Sequence, residues 1–287
     1  MNARSIDEPA RRALGRGAFA RGLAIAAFAT LFALPLWFLV SASLQAPGSG
    51  VGASTLAPPL PPHWENYPEA LARMGGFGRF LANTLVVTVL CVLGQCLTCS
   101  LAGYAFARLR FRGRDALFLV VLATMLLPEP ATALPRFLLF RALGLVDTYG
   151  PLVLPTVLGG APFFVFLFRQ YFLALPPELD EAARLDGCGP VRAYWRIYLP
   201  LARPMLATVA LFTFLATWND FWAPLLYVLS PEKRTLTLAL ASFQRTYDTS
   251  VEHLMAASTV ILVPCVLLYF LAQRLFLRGL RVAAAKR

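Results

Sequence analysis

Three groups of residues in this chain have the types and spacing to do chemistry. The first is Trp218-Asn219-Asp220, set in an apolar run and followed by Phe221-Trp222. An ionisable residue inside a membrane span points by default to function. An amide and a carboxylate among aromatic rings would also suit a sugar, with its hydroxyls hydrogen-bonded and its faces stacked. The structural reading is that Asp220 pairs with a neighbouring helix or lies at an interface beside Trp218 and Trp222. That reading is preferred, because position alone does not make a site. The second group is Cys96-Leu97-Thr98-Cys99. The spacing is that of a metal pair, but zinc needs further ligands and no histidine or second pair lies near. These cysteines read as small packing residues. His63 and His253 are far apart, in loops. Neither lysine, Lys233 or Lys286, sits in the GxxxxGK[ST] pattern that cradles phosphates. The chain is therefore expected not to be an enzyme and to carry no cofactor or metal. Any ATP and Mg2+ would be bound by a partner chain.

The third group is the polar stretch 177–204, which lies between two long apolar runs. It reads as two short helices separated by Gly187-Cys188-Gly189-Pro190. Glu178, Asp180 and Glu181 complement the positive end of the first helix. Gly187 supplies its stop, and Pro190 opens the second helix. Leu179, Ala182, Ala183 and Asp186 recur at helical spacing. Val191, Tyr194, Trp195 and Tyr198 do the same, and an aromatic strip suits the centre of an interface. A helix lying on the membrane would explain Trp195 and Tyr198. It would not explain the acidic first helix, which anionic headgroups repel. A hairpin that docks into another protein explains both.

These groups need a scaffold, and the composition says where it lies. Of 287 residues, 58% are hydrophobic and only 14% charged, with a mean hydropathy of +0.64. A soluble chain would carry about 25% charged residues. The apolar residues fall in six blocks, at about 19–43, 80–107, 116–134, 151–172, 204–229 and 255–277. Each is long enough to cross the bilayer as a helix, and none alternates as a barrel strand would. The first block is read as a retained span rather than a cleaved signal, because residues 24–40 are long for that role. Residues 46–62 read as an extended external loop, and 64–74, 137–145 and 235–243 as short helices outside the spans. Pro130, Pro135, Pro155, Pro162, Pro224 and Pro264 imply kinks or breaks.

The formal net charge of +11 is a topology signal and needs no nucleic-acid partner. Nineteen of the 26 basic residues fall in 4–21, in 108–114, in 169–203 and after residue 273. The positive-inside rule puts both termini and the hairpin in the cytoplasm. A tail at 1–18, a membrane domain at 19–277 and a second tail at 278–287 follow.

The hairpin resembles the EAA loop of ABC importer permeases: Glu181-Ala182-Ala183, three residues, Gly187, nine residues, then Ile197-x-Leu199-Pro200. Asn66-Tyr67, Asn83-Thr84, the stretch from Ala102 through Gly103 and Tyr104 to Arg108, Pro135 and Trp218-Asn219-Asp220 look like the carbohydrate-uptake branch. The chain is similar to the second permease of maltose-type and glycerol-phosphate-type importers. It departs from the family pattern at Cys188-Gly189 and in its tail. The resemblance implies an all-α polytopic membrane protein: a type I ABC importer transmembrane domain of six transmembrane helices with a cytoplasmic coupling-helix hairpin. It implies a heterodimer with a second permease, a dimer of ATP-binding subunits below, an extracytoplasmic sugar-binding protein above, and residence in the bacterial inner membrane. It assigns ATPase coupling to Glu181, Ala182, Ala183, Asp186, Gly187, Tyr194, Ile197, Leu199 and Pro200, with Trp218, Asn219 and Asp220 beside the substrate path. Closure of the ATPases would pull on the hairpin and rotate the spans. A glycerol-phosphate, peptide or amino-acid substrate is the alternative within this class. A secondary transporter is disfavoured by the absence of duplicated halves.

Overall fold

A computed structural model describes residues 7–49, 53–158, 161–246 and 250–284, and among them there is helix and no strand. The helices are α1 (Asp7–Ser43), α2 (Asn66–Arg73), α3 (Phe77–Arg108), α4 (Arg114–Ala123), α5 (Glu129–Ala142), α6 (Gly150–Val157) and α7 (Pro162–Leu173). They continue as α8 (Glu178–Leu185), α9 (Pro190–Ala193), a π-helical stretch (Tyr194–Tyr198), α10 (Leu199–Leu201), α11 (Arg203–Trp218), α12 (Trp222–Tyr227), α13 (Leu236–Thr246) and α14 (Val251–Ala284).

Four segments are long and apolar enough to span a membrane: Arg21–Ser43, Phe77–Arg108, Gly150–Leu173, which takes in α6 and α7, and Val251–Leu271. These are the first, second, fourth and sixth expected spans. The other two are not straight. The third bends by 105° between Arg114–Leu126 and Pro130–Ala142. Proline explains it: Leu127 is pushed out of the helical region by the proline that follows it, and Pro128 stays extended as the residue before α5. The expected short helix at 137–145 is therefore the end of a longer one, α5. The fifth span holds only as Arg203–Trp218, about 24 Å at 1.5 Å per residue. It stops before Asn219, and the chain resumes as α12.

The contacts divide the chain into two units. In the unit Met1–Arg73 with Gln244–Val260, Asn66 is the organising residue. Its buried amide donates to the carbonyls of Ser43 and Gln45 and so seals the end of α1. The buried face of α2 is Asn66 and Ala70, and Tyr67 bonds the Ser43 hydroxyl at 2.7 Å. Glu252, at the start of α14, accepts from the amide of Gly48 and the hydroxyl of Ser49.

The unit Met74–Phe243 with Ile261–Arg287 is built around α3, which packs on α6, α7 and α11. Lipid offers no hydrophobic drive for helix pairing, so close packing has to hold these helices together. Two glycines allow it. A Cβ on Gly94 would lie 2.3 Å from Val157 Cγ2, and one on Gly103 would lie 2.4 Å from Phe168 Cβ. The cysteines work the same way. Cys91, Cys96 and Cys99 point their thiols at the carbonyls of Leu152, Leu206 and Ala161. Near the N-terminal end of α3, Asn83 donates to the carbonyls of Glu232 and Arg234. Beside it, the hydroxyl of Thr84 accepts the amide of Leu236.

Candidate functional site

The stretch 177–204 folds as two helices at the other end of α3. Acidic side chains fill the first turn of α8 and Arg184 its last, which matches the helix dipole at both ends. The stop is a full Schellman turn. Gly187 has φ +68°, its amide bonds the Arg184 carbonyl, and the Cys188 amide bonds the Ala183 carbonyl. Gly189 is extended and Pro190 starts the second helix. That helix widens to a π turn at Tyr194–Tyr198, with the Leu199 amide reaching the Tyr194 carbonyl. Pro200 has no amide to give the Arg196 carbonyl, and the widened turn directly precedes it. The chain then bends by 76° into α11.

Each helix has two faces. Leu179 and Ala183 turn inward, as do Ala193, Tyr194 and Tyr198. Glu178, Glu181, Ala182, Asp186 and Gly187 are exposed. Three large apolar side chains are exposed with them: Leu185 at 90%, Val191 at 72% and Trp195 at 51%. The expected four-residue strips are thus divided. A stripe at i, i+3, i+4, i+7 is about 100° wide and here straddles the boundary of the core. Tyr194 and Tyr198 fall on the buried side, Val191 and Trp195 on the open side. Tyr194 and Ala183 are therefore buried against the core of this chain. Ile197 and Leu199 also pack against the core, whereas Pro200 is exposed.

The inner face is wired to the spans. Tyr194 bonds the Ser100 hydroxyl at 2.7 Å, and the Tyr104 hydroxyl donates to the Pro190 carbonyl at 3.1 Å. The Tyr104 ring lies 4.9 Å from that of Tyr198 and 5.4 Å from that of Tyr194. The Tyr171 hydroxyl donates to the Leu201 carbonyl. Arg108, the last residue of α3, donates to Asp180 and to the carbonyls of Phe172 and Leu175. The sequence reading counted Arg108 as a topology charge and Asp180 as a dipole partner, and missed their pairing.

The Trp218-Asn219-Asp220 group lies where α11 ends and α12 begins. Trp218 is buried, stacked on Phe214, and donates its indole N–H to the Ile261 carbonyl. Its ring is packing and offers no face to a ligand. The Asn219 amide donates to the Leu215 carbonyl at the end of α11. Asp220 lies in the break after α11 and accepts the Ala223 amide, starting α12. Its own carbonyl accepts the Thr237 hydroxyl. Asp220 thus sits in the break between α11 and α12, at the start of the second helix. Among the described residues no three His, Cys, Asp or Glu side chains converge as a metal site would require.

Comparison with known proteins fits this geometry. Residues 99–282 match the family described as binding-protein-dependent transport system inner membrane component. The chain is 35% identical to the arabinooligosaccharides transport system permease protein AraQ of Halalkalibacterium halodurans, over 92% of this chain and 94% of that one. It is 35% identical to the sn-glycerol-3-phosphate transport system permease protein UgpE of Yersinia pestis, over 71% of this chain and 73% of that one. The crystal structure of a bacterial ABC transporter that imports the acidic polysaccharide alginate superposes with a TM-score of 0.77 at 26% identity, covering 96% of this chain and 98% of that one. The matched region contains the hairpin and the helices that hold it, and the chain belongs to this family of integral inner-membrane components of binding-protein-dependent transport systems.

Proposed function

We propose that this chain is a permease subunit of an ATP-driven sugar importer, and that the exposed ridge of its hairpin docks the ATPase. The observation that carries the docking assignment is the division of the hairpin. Leu185, Val191 and Trp195 are open while the tyrosines behind them are locked to the spans. An apolar ridge flanked by Glu178, Glu181 and Asp186 and by the likewise exposed Arg184, Arg192 and Arg196 suits a cleft with an apolar floor and a rim carrying charges of both signs. Glu181 is the candidate partner of an arginine there.

The basic residues support an orientation with the hairpin and both termini in the cytoplasm. A second permease completes the path, two ATPase subunits bind ATP and Mg2+, and an extracytoplasmic binding protein delivers the sugar. ATP-driven closure displaces the hairpin and turns the spans from inward- to outward-facing. Asn219, at the break after α11, is the exposed member of its group and the candidate for contact with the solute.

A non-sugar solute is the second reading, supported by the identity with the sn-glycerol-3-phosphate permease. Calorimetry on the cognate binding protein separates the two: sugars bind under the first reading, glycerol phosphate under the second. The docking assignment is tested by Gly187→Asp. A side chain at φ +68° costs about 1 kcal/mol or more, and a negative charge at a helix C-terminus adds to that. The subunit is expected to insert normally while uptake is abolished; normal uptake would sink the assignment.

A further inference from the structure

We infer that Arg108, Asp180 and Tyr198 form a clasp that transmits movement of the hairpin into the spans, with Arg108 and Asp180 as positioning residues for coupling. The inference rests on the permease reading above. Arg108 closes α3, and only 8% of its side chain is exposed. Its Nε and Nη2 donate to the Phe172 carbonyl, and Nη2 also donates to the Leu175 carbonyl. These carbonyls belong to the end of α7 and the residues just after it; that of Phe172 also accepts the Leu175 amide in the tightened last turn. Nη1 donates to Asp180 Oδ2 at 2.9 Å. The other carboxylate oxygen of Asp180 accepts the Tyr198 hydroxyl. The guanidinium carbon lies 5.3 Å from the centre of the Tyr198 ring. One cation thus joins α3, the end of α7 and both helices of the hairpin.

Two features argue against an ordinary helix cap or a docking residue. A cap would be complete with the two carbonyls and would not need Asp180. A docking acid would face outward as Glu178 and Glu181 do, yet Asp180 turns inward between them. Planar bidentate geometry also makes arginine a stiffer joint than a single ammonium. Without the clasp, residues 174–177 would link α7 to α8 as a bare connector. A displacement of α8 could then be absorbed there. With it, the displacement reaches α3 and α7 together.

The test uses the whole importer in lipid vesicles: both permeases, the ATPase dimer and the binding protein as purified from its host. Three quantities are read: ATPase captured by the permeases, melting of the assembled complex, and stimulation of ATP hydrolysis by the binding protein. Stimulation from the far side of the membrane needs transmission, which capture and melting do not. Asp180→Ala is expected to keep capture, to lower melting by only the several degrees that two lost hydrogen bonds cost, and to lose stimulation, to within about twofold of the unstimulated rate. Tyr198→Phe, which keeps the ring, is expected to lose part of it. The double variant is expected to be no worse than Asp180→Ala, because both changes remove one joint. Full stimulation in both single variants overturns the clasp. So does loss of capture, or of a folded complex at the assay temperature, in step with stimulation, which would make the residues merely structural. A wild-type complex with neither capture nor stimulation overturns the importer reading itself, an outcome distinct from either.

Discussion

The two ends of α3 hold the chain in different ways. At one end Asn83 and Thr84 fasten the segment around Glu232–Leu236 through backbone groups. The charges near that end are spent on the same task. Asp147, at φ +62°, accepts from the amides of Leu229 and Ser230, the Ser230 hydroxyl and Lys233. At the other end Arg108 and three tyrosines fasten only the back of the hairpin, and its front is left open and apolar. A buried or bonded charge marks fastening. An apolar ridge held rigidly from behind marks a surface awaiting a partner.

The largest change should break both ends at once. Gly103→Leu has no room against Phe168 and the backbone at Arg169. Overpacking a tight contact costs about 1–3 kcal/mol or more, and close approach is what holds these helices. Folded protein should fall to background in size-exclusion profiles of detergent extracts. Trp195→Ala should affect one end only. A central tryptophan of an interface contributes about 2 kcal/mol or more, near 30-fold in affinity. Capture of the ATPase should drop by that order with melting unchanged. Asn83→Ala should do the reverse. Two hydrogen bonds lost at about 1 kcal/mol each should lower the melting temperature by several degrees while capture stays at the wild-type level.

The smallest effect is a pH dependence confined to the Asp147 end. The Ser230 hydroxyl and amide, then Lys233 and the Leu229 amide, hold the Asp147 carboxyl well below the usual carboxylate range. A lowered folded value means the stabilisation is present above the unfolded value, about 3.9. It is lost as the pH falls below that toward the folded value. Melting of the wild type should therefore drop more between about pH 6 and pH 3 than melting of Asp147→Asn. Equal drops would remove Asp147 from that role.

The same contrast explains how much was legible in the sequence. Spans two, four and six could be placed because long apolar runs have few other solutions in lipid. Gly187 and Pro190 could be assigned because a left-handed stop and a helix start each demand one residue type. Partnership at long range could not be read. Arg108 and Asp180 are 72 residues apart, and each had a sufficient local explanation. Kinks or breaks were expected at prolines in the third and fifth spans, but where and how far each turns was not legible, because hydropathy records burial and not direction. Pro128, Pro130 and the Asn219-Asp220 pair set the direction. The facing of Tyr194 was missed because a stripe 100° wide fits two rotations of the helix about its axis.

Cross-linking of the open ridge to the ATPase tests the central claim most directly. In a Cys188→Ser background, a cysteine at position 181 (Glu181→Cys) and one at the exposed Trp222 (Trp222→Cys) are placed in the assembled importer, and a short bifunctional reagent is added. The account predicts a cross-link from position 181 to the ATPase subunit and none from position 222. A cross-link from position 222, or none from position 181 in a complex that still hydrolyses ATP, would contradict it.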